Sequence, residues 1–236
     1  MSEATTTNPK VEELFKAGAH FGFVRSRRHP SAKPFIYGTK NRIEIFDLEK
    51  TAEELDKAAS YIKEIAKGNG TVLFVGGKSE AREAIKSAAE SLDMPYVAGR
   101  WIGGTLTNFS EIKKRVAKLE DLTNQKQKGE LAKYTKKERL LIDREIENLH
   151  RFFSGLANLK DKPAVMFVID AKHEHIAVAE AKTMGVPVVA LCGSDCNFGE
   201  VDYAIPGNDS SVPSVKYFVE RIAAAYKEGK SEKAGA

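Results

Sequence analysis

Apolar residues along the chain follow two different periods. Leu48, Ala52, Leu55, Ala59, Ile62 and Ala66 recur at steps of four and three, which lines them along one face of a helix that Gly68 would stop. Ala81, Ile85, Ala88 and Leu92 repeat the pattern. Ala177, Ala181 and Met184 do so more briefly before Gly185, and Val215, Val219, Ile222 and Tyr226 mark a last helix. Between these stand the runs TVLFVGG (71–77), AVMFVID (164–170), VPVVALC (186–192) and VDYAIP (201–206), read as strands, the continuous apolar ones buried on both faces. Strands alternating with helices predict an α/β fold, a parallel sheet with helices on both faces.

One region breaks the alternation. From Phe109 to Phe153, Ile112, Val116 and Leu119, then Ile142, Ile146 and Leu149, draw narrow apolar stripes on two highly charged helices separated by NQKQKGE. Stripes this narrow predict helices that pack on each other, so residues 109–154 read as an inserted, projecting antiparallel coiled-coil hairpin. The sheet domain is then discontinuous, 11–108 and 155–226. The ends, 1–10 and 227–236, have no apolar periodicity and read as disordered.

Composition adds little until charge is mapped. The 236 residues are 42% hydrophobic, enough for a sizeable core, and carry 37 basic against 33 acidic residues. From His20 to Arg42, however, Arg25, Arg27, Arg28, Lys33, Lys40 and Arg42 occur without a single acid, a block suited to neutralising phosphates. In the hairpin, Lys113, Lys114, Arg115 and Lys118 are interspersed with Glu111, Glu120 and Asp121, so intrahelical pairs weaken their field. The block at 20–42 is therefore expected to dominate polyanion binding. The two cysteines make no disulfide framework, and no apolar segment has the ~20 residues needed to span a bilayer, which together predict a soluble cytoplasmic protein.

Four stretches carry candidate chemistry. In VIDAKHEHIA (168–177), a His-Glu-x-x-His zinc pattern begun at His173 would need histidine where Ala177 stands, and His173 and His175 diverge on a helix. Asp170 is positioned to cap backbone amides there. VGGKSEA (75–81) resembles a phosphate loop but has Val72 where the first glycine belongs, leaving either an anion site with Lys78 or a turn capped by Ser79. RWIGGTLTNF (100–109) offers Arg100 and Trp101 either for stacking on a base or for seating the hairpin. Cys192 and Cys196 could join Asp195 and His20 around zinc, or remain free thiols. No nucleophile and base are paired, and the enzyme reading reduces to a nucleotide- or flavin-binding fold with ligand at Gly76, Asp170 and Gly193. A third reading is a scaffold that binds protein through the hairpin alone.

The segments AGAHFG (17–22), KPFIYGTKNRIEIFDLEKT (33–51), VLFVGGK, RWIGGTLTN, VMFVID, AEAKTMGVPVVA and IPGND (205–209) occur in the order found in bacterial small-subunit ribosomal protein S2, and the resemblance runs from Phe15 to Tyr226. It implies a flavodoxin-like parallel sheet with a projecting coiled-coil hairpin, a structural constituent of the small ribosomal subunit without enzymatic activity, and no cofactor. It also implies binding to small-subunit ribosomal RNA, neighbouring small-subunit proteins as partners, and a docking surface for ribosomal protein S1 where that protein exists. On this resemblance and the charge map, the expected RNA-binding residues are Arg25, Arg27, Arg28, Lys33, Lys40, Arg42, Lys78, Arg100, Lys113 and Lys114. The chain departs from the family pattern at Phe23, where histidine is usual, and in GSDCNFG (193–199), which replaces an acidic Thr-Asn-x-Asp-Pro. A metal site known in some relatives is therefore not carried over.

Overall fold

The computed structural model describes residues 9–234. Five strands form a parallel sheet: β4 (Val72–Val75), β5 (Tyr96–Val97), β6 (Val165–Ile169), β7 (Val188–Cys192) and β8 (Tyr203–Pro206). Their spatial order is β5-β4-β6-β7-β8, all parallel, which is the flavodoxin-like order in which the first strand lies between the second and the third. A second sheet, antiparallel and of order β1-β3-β2, joins β1 (Phe21–Val24), β2 (Ile36–Lys40) and β3 (Ile43–Phe46).

The period of two within each buried strand divides the core into two layers. Val72, Phe74, Val165, Phe167, Ile169, Val189, Leu191 and Ile205 face helices α1 (Pro9–Lys16), α2 (Leu48–Lys67), α3 (Ser79–Leu92) and α7 (Val212–Ala234). Leu73, Val75, Met166, Val168, Val188, Ala190 and Cys192 face the other way, toward α6 (His175–Thr183), Trp101, and the roots of α4 (Phe109–Gln127) and α5 (Lys136–Phe153). Each fully buried side chain such as Phe74 or Phe167 contributes on the order of 1.5–3 kcal/mol.

Helices α4 and α5 pack chiefly on each other. Ile112 and Leu119 on one and Leu149 and Phe153 on the other are buried at their contact, and Lys118–Glu145 and Lys126–Asp143 cross between them in opposing chain order. Thr135 and Glu138 form a reciprocal capping box that starts α5.

The ends differ from the sequence expectation. Residues 1–8 of the N-terminal segment lie outside the described residues, but Pro9 and Lys10 already belong to α1, with Lys10 2.6 Å from Asp56. The C-terminal stretch expected to be disordered from 227 continues α7 to Ala234. Apolar periodicity could not forecast this, because the last turns are held by Lys63–Glu232 and Lys67–Glu232 pairs to α2. Gly229 lets the two backbones approach so closely that a Cβ there would collide with the carbonyl of Lys63.

Candidate nucleic-acid interface

The segment read as a basic loop is the antiparallel sheet. Between β2 and β3 a two-residue turn places Asn41 and Arg42 at φ of 52° and 67°, the left-handed pair that suits a tight hairpin. For an arginine that conformation costs about 1–2 kcal/mol, and it holds Arg42 out at an exposed tip. Short 3-10 turns, Arg25–Arg27 and Pro30–Phe35, join β1 to β2, and His29 accepts the amide of Ser31 to start the second. Anchorage comes from loop 193–198. The Phe23 amide donates to Ser194 Oγ at 2.9 Å, the His29 amide to Ser194 O at 2.9 Å, and the Phe198 amide to Ser31 Oγ at 3.0 Å.

The six cations of this block are not equivalent. Arg25, Lys33, Lys40 and Arg42 are exposed, and among the described residues no carboxylate or side-chain hydrogen bond engages them. Arg27 is exposed but lies 3.4 Å from Asp195 and stacks over the Phe23 ring at 4.7 Å. Arg28 turns inward, where Nη1 donates to Glu44 Oε1 at 2.9 Å; Glu44 is fully buried. Elsewhere Arg100 is exposed at the rim of a cleft of about 390 Å³ that Lys86 and Arg151 also line. Lys114 pairs with Glu111, and Lys113 lies over the Phe109 ring.

Lys78 is a correction. Its ammonium, only 16% exposed, lies 2.5 Å from Asp170 and 2.9 Å from Asp209, so it is committed to two carboxylates of its own chain and is not an anion-binding lysine. Burial alone would lower its pKa, but those two carboxylates outweigh burial and raise it above the usual lysine value. Ser79 does not cap α3 either, since its hydroxyl turns to Glu80. Asp170, in the left-handed region at φ 64°, accepts the amides of Lys172 and His173, which caps a turn ahead of α6 and not the helix itself, whose first residue is His175.

Loop 101–107 seats the hairpin root through Glu180. That carboxylate accepts from Trp101 Nε1, from the amides of Gly104, Leu106 and Thr107, and from the Thr107 hydroxyl. Burial pushes its pKa up, yet these donors outweigh burial and hold it below the ordinary glutamate value. Trp101 is buried in this seat and is not available for stacking.

In a doubly wound sheet the ligand crevice opens at the carboxyl ends of the strands where their order reverses, here β4 and β6. The chain closes that position with its own side chains. A Cβ on Gly77 would lie 2.5 Å from Glu174 Oε1, and one on Gly193 would lie 2.9 Å from Asp209 Oδ1 and 3.0 Å from the Phe23 ring. At the position expected for a ligand, Gly76 is packed against Ile85, Ala81 and Ile169, and Asp170 and Gly193 border a packed ion cluster, where a nucleotide or flavin would need a cleft.

The family model described as Ribosomal protein S2 matches residues 14–229. The chain belongs to the ribosomal protein S2 family. It is 43% identical over 222 residues to the small ribosomal subunit protein uS2 of Bdellovibrio bacteriovorus, covering 94% of this chain and 71% of the relative. To the protein of the same description from Pseudoalteromonas translucida it is 41% identical over 223 residues, 94% of this chain and 92% of the relative. To that of Coprothermobacter proteolyticus it is 42% identical over 225 residues, 95% and 84%. Ribosomal proteins S2 are structural proteins and not enzymes. No helix among the described residues is long and apolar enough to cross a membrane.

The metal site of some ribosomal S2 relatives does not fit these residues. Asp170, Cys196 and Asp209 bring ligand atoms within 4.8 Å of one another, but the Lys78 ammonium already lies between the two carboxylates. The Cys196 thiol, whose pKa is pushed well up by its hydrogen bond with Cys192 and by burial, stays protonated and donates to Asp170. Among the described residues neither Cys192, Asp195 nor His20 joins that group. His20 instead stacks between Phe15 and Phe21.

Three participants were missed from sequence. Glu44 and Asp209, the internal partners of Arg28 and Lys78, lie 16 and 131 residues away from them, and only Glu44 had a local signal, as a lone acid in the alternating run IEIF. The exposed rings of Phe15, Phe21 and Tyr37 were the third, and the alternation in FGFV and IYGTK could have marked those strands as having an outer face.

Proposed function

We propose that the chain is a structural constituent of the small ribosomal subunit that grips small-subunit ribosomal RNA with the antiparallel sheet β1-β3-β2, chiefly through Arg25, Lys33, Lys40 and Arg42. The observation that carries this reading is that these four cations are exposed and unengaged by any described acid, while Lys78 and Arg28 are committed internally. A free guanidinium or ammonium neutralises a phosphate at little desolvation cost, and each such contact adds about 0.7–0.9 to the log–log salt dependence of binding. Arg27 and Arg100 contribute from the flanks. The helical pair α4/α5, a coiled-coil hairpin in this reading, adds Lys113 and Lys114 more weakly, because Glu111 already engages Lys114. Partners are the RNA and neighbouring small-subunit proteins, ribosomal protein S1 among them where it exists, which places the chain in the cytoplasm.

The test is the salt dependence of binding to small-subunit RNA fragments. The combined variant Arg25→Ala, Lys40→Ala and Arg42→Asn, in which asparagine tolerates the left-handed turn, should keep the native melting profile and flatten the salt slope by roughly two. A wild-type slope in that variant would overturn the assignment of the RNA grip to this sheet.

A further inference from the structure

Helix α5 divides its charges by face. Of its four acids, Asp143 pairs with Lys126 at 2.7 Å and Glu145 with Lys118, both across the contact with α4, and Glu138 accepts from the Thr135 amide and hydroxyl in the cap. Glu147 alone has no partner among the described residues. The five lysines and arginines of the helix, Lys136, Lys137, Arg139, Arg144 and Arg151, are all exposed, and no described carboxylate engages any of them. Arg151 lies over the Phe152 ring at 5.5 Å. Pairing across the seam thus commits acids of α5 to cations of α4 and leaves the cations of α5 unanswered. At about 100° per residue, Lys137, Arg144 and Arg151 stand about 120–180° from Leu149 and Phe153, the buried residues of the seam, so they form one row on the side away from α4. They recur every seven residues, about 10.5 Å apart along a rod about 27 Å long. Lys136 and Lys137 also occupy the first turn, where the helix dipole disfavours cations, so folding alone gives no reason for them. At the hairpin root the row ends on the cleft of about 390 Å³, whose rim Arg100 reaches from the loop after β5.

A straight row of unanswered cations fits a regular line of phosphates. No large aromatic side chain of α5 is among the exposed ones, so the face lacks the stacking platform on which single strands depend. Double-stranded RNA, by contrast, is met through its shape and its backbone. Leu140 and Leu141, 51% and 55% exposed, are the large apolar side chains that α5 does expose. They make one apolar layer, too little for the core of a protein interface of about 800 Å² per partner, whereas the cations recur along the whole helix. We propose that the outward face of α5, through Lys137, Arg144 and Arg151 with Arg100 at its root, is a second RNA site that takes the phosphate backbone of a duplex segment of ribosomal RNA. This rests on the RNA-binding reading above and adds a site separate from the antiparallel sheet.

The experiment uses the full chain with a blunt RNA duplex and a single strand of equal length. The variant Lys137→Gln, Arg144→Gln and Arg151→Gln keeps helix-forming side chains and should flatten the salt slope for the duplex by roughly two. A matched variant on α4, Lys113→Gln, Lys114→Gln and Arg115→Gln, removes the same net charge and should flatten it by less than about one. Equal slopes in the two variants would mean that only the net charge of the hairpin matters, and would overturn the proposal. A slope lost for the single strand alone would overturn the duplex assignment. If the α5 variant keeps the wild-type slope while the combined variant of Arg25, Lys40 and Arg42 loses it, the second site is wrong and the reading of the sheet stands. If neither loses slope, both fall. An α5 variant that keeps its RNA slope but fails to hold a neighbouring small-subunit protein would make the face a protein dock and overturn the proposal. Should the triple variant unfold, Arg144→Gln alone carries the test, with an expected drop of roughly 0.7–0.9 in the duplex slope, and a wild-type slope there would overturn the role of the row.

Discussion

Lys78 and Arg25 each lie close behind the C-terminal end of a strand, and their charges are used in opposite ways. Behind β4, Lys78 lies against Asp170 and Asp209 under the Phe23 ring, and nearby Glu174 accepts the Gly77 amide, so every charge is answered by the chain itself. Behind β1, Arg25 is exposed, as are Lys40 and Arg42 on the neighbouring turn, with no described acid within reach. The first cluster closes the crevice in which a doubly wound fold would hold a small ligand. The second leaves an unpaired positive field on an outer sheet. Net charge does not separate these cases, since both come from lysines and arginines in glycine- and polar-rich turns. What separates them is whether the fold brings an acid from elsewhere in the chain, as it brings Asp209 across 131 residues to Lys78.

The largest expected effect is on the closed cluster. Lys78→Met keeps the length of the side chain and removes the only ammonium between two buried carboxylates, which should cost about 3–5 kcal/mol of folding stability, because the charges left behind are desolvated and repel. Urea unfolding monitored by circular dichroism measures it. A loss under about 1 kcal/mol would mean that the cluster is open to solvent and that the contrast with the sheet is false.

A second effect comes from the same cluster by titration. Burial, reinforced by the neighbouring charge of Asp170, raises the Asp209 pKa from 3.8 to about 6, against the opposing pull of Lys78. Between these values the folded chain retains a proton that the unfolded chain has released, so this group's contribution to stability falls as pH rises through the window and levels off above about 6. Asp170 acts in the opposite sense at lower pH. Its burial is outweighed by the hydrogen bond and charge of Lys78, its pKa is depressed, and its contribution is lost as pH falls below the ordinary aspartate range. Comparing wild type with Asp209→Asn isolates the first effect: the stability difference should move against wild type by up to about 3 kcal/mol across that window. A difference independent of pH there would show that Asp209 is ionised throughout.

The parts of this contrast that could be read from sequence follow from how local each signal is. TVLFVGG, AVMFVID, VPVVALC and VDYAIP are evident as strands because β4, β6 and β7 are buried on both faces and leave no polar residue within them, and β8 follows the same rhythm. Tyr96–Val97 is only two residues long and carries no period at all. The antiparallel sheet was read as a loop because its cations mask the alternation of IYGTK and IEIF, and because a fully buried Glu44 inverts the usual rule that the charged position faces water. Candidate cations were visible, but their partners were not. Arg28 and Lys78 cannot be told from Arg25 without knowing that Glu44 and Asp209 reach them.

Arg28 tests the comparison from inside the open region, since it belongs to the same RSRR motif as Arg25 but behaves as a closed charge. Its guanidinium is 25% exposed and donates to Glu44 Oε1, while Glu44 Oε2 is buried and has no partner among the described residues. Arg28→Ala should therefore destabilise the chain by about 1–3 kcal/mol, less than Lys78→Met because one carboxylate is orphaned instead of two and solvent can partly reach the gap. Arg25→Ala removes a side chain with no described partner and should change stability by under about 0.5 kcal/mol. Their effects on RNA should reverse, with Arg25→Ala lowering the salt slope by roughly 0.7–0.9 and Arg28→Ala leaving the slope unchanged in the folded fraction. Thermal melts and salt-dependent binding of the two single variants decide it. Equal effects of both on the slope would mean that Arg28 releases Glu44 to meet a phosphate, and the division between closed and open charges would then fail at the residue where the two regions meet.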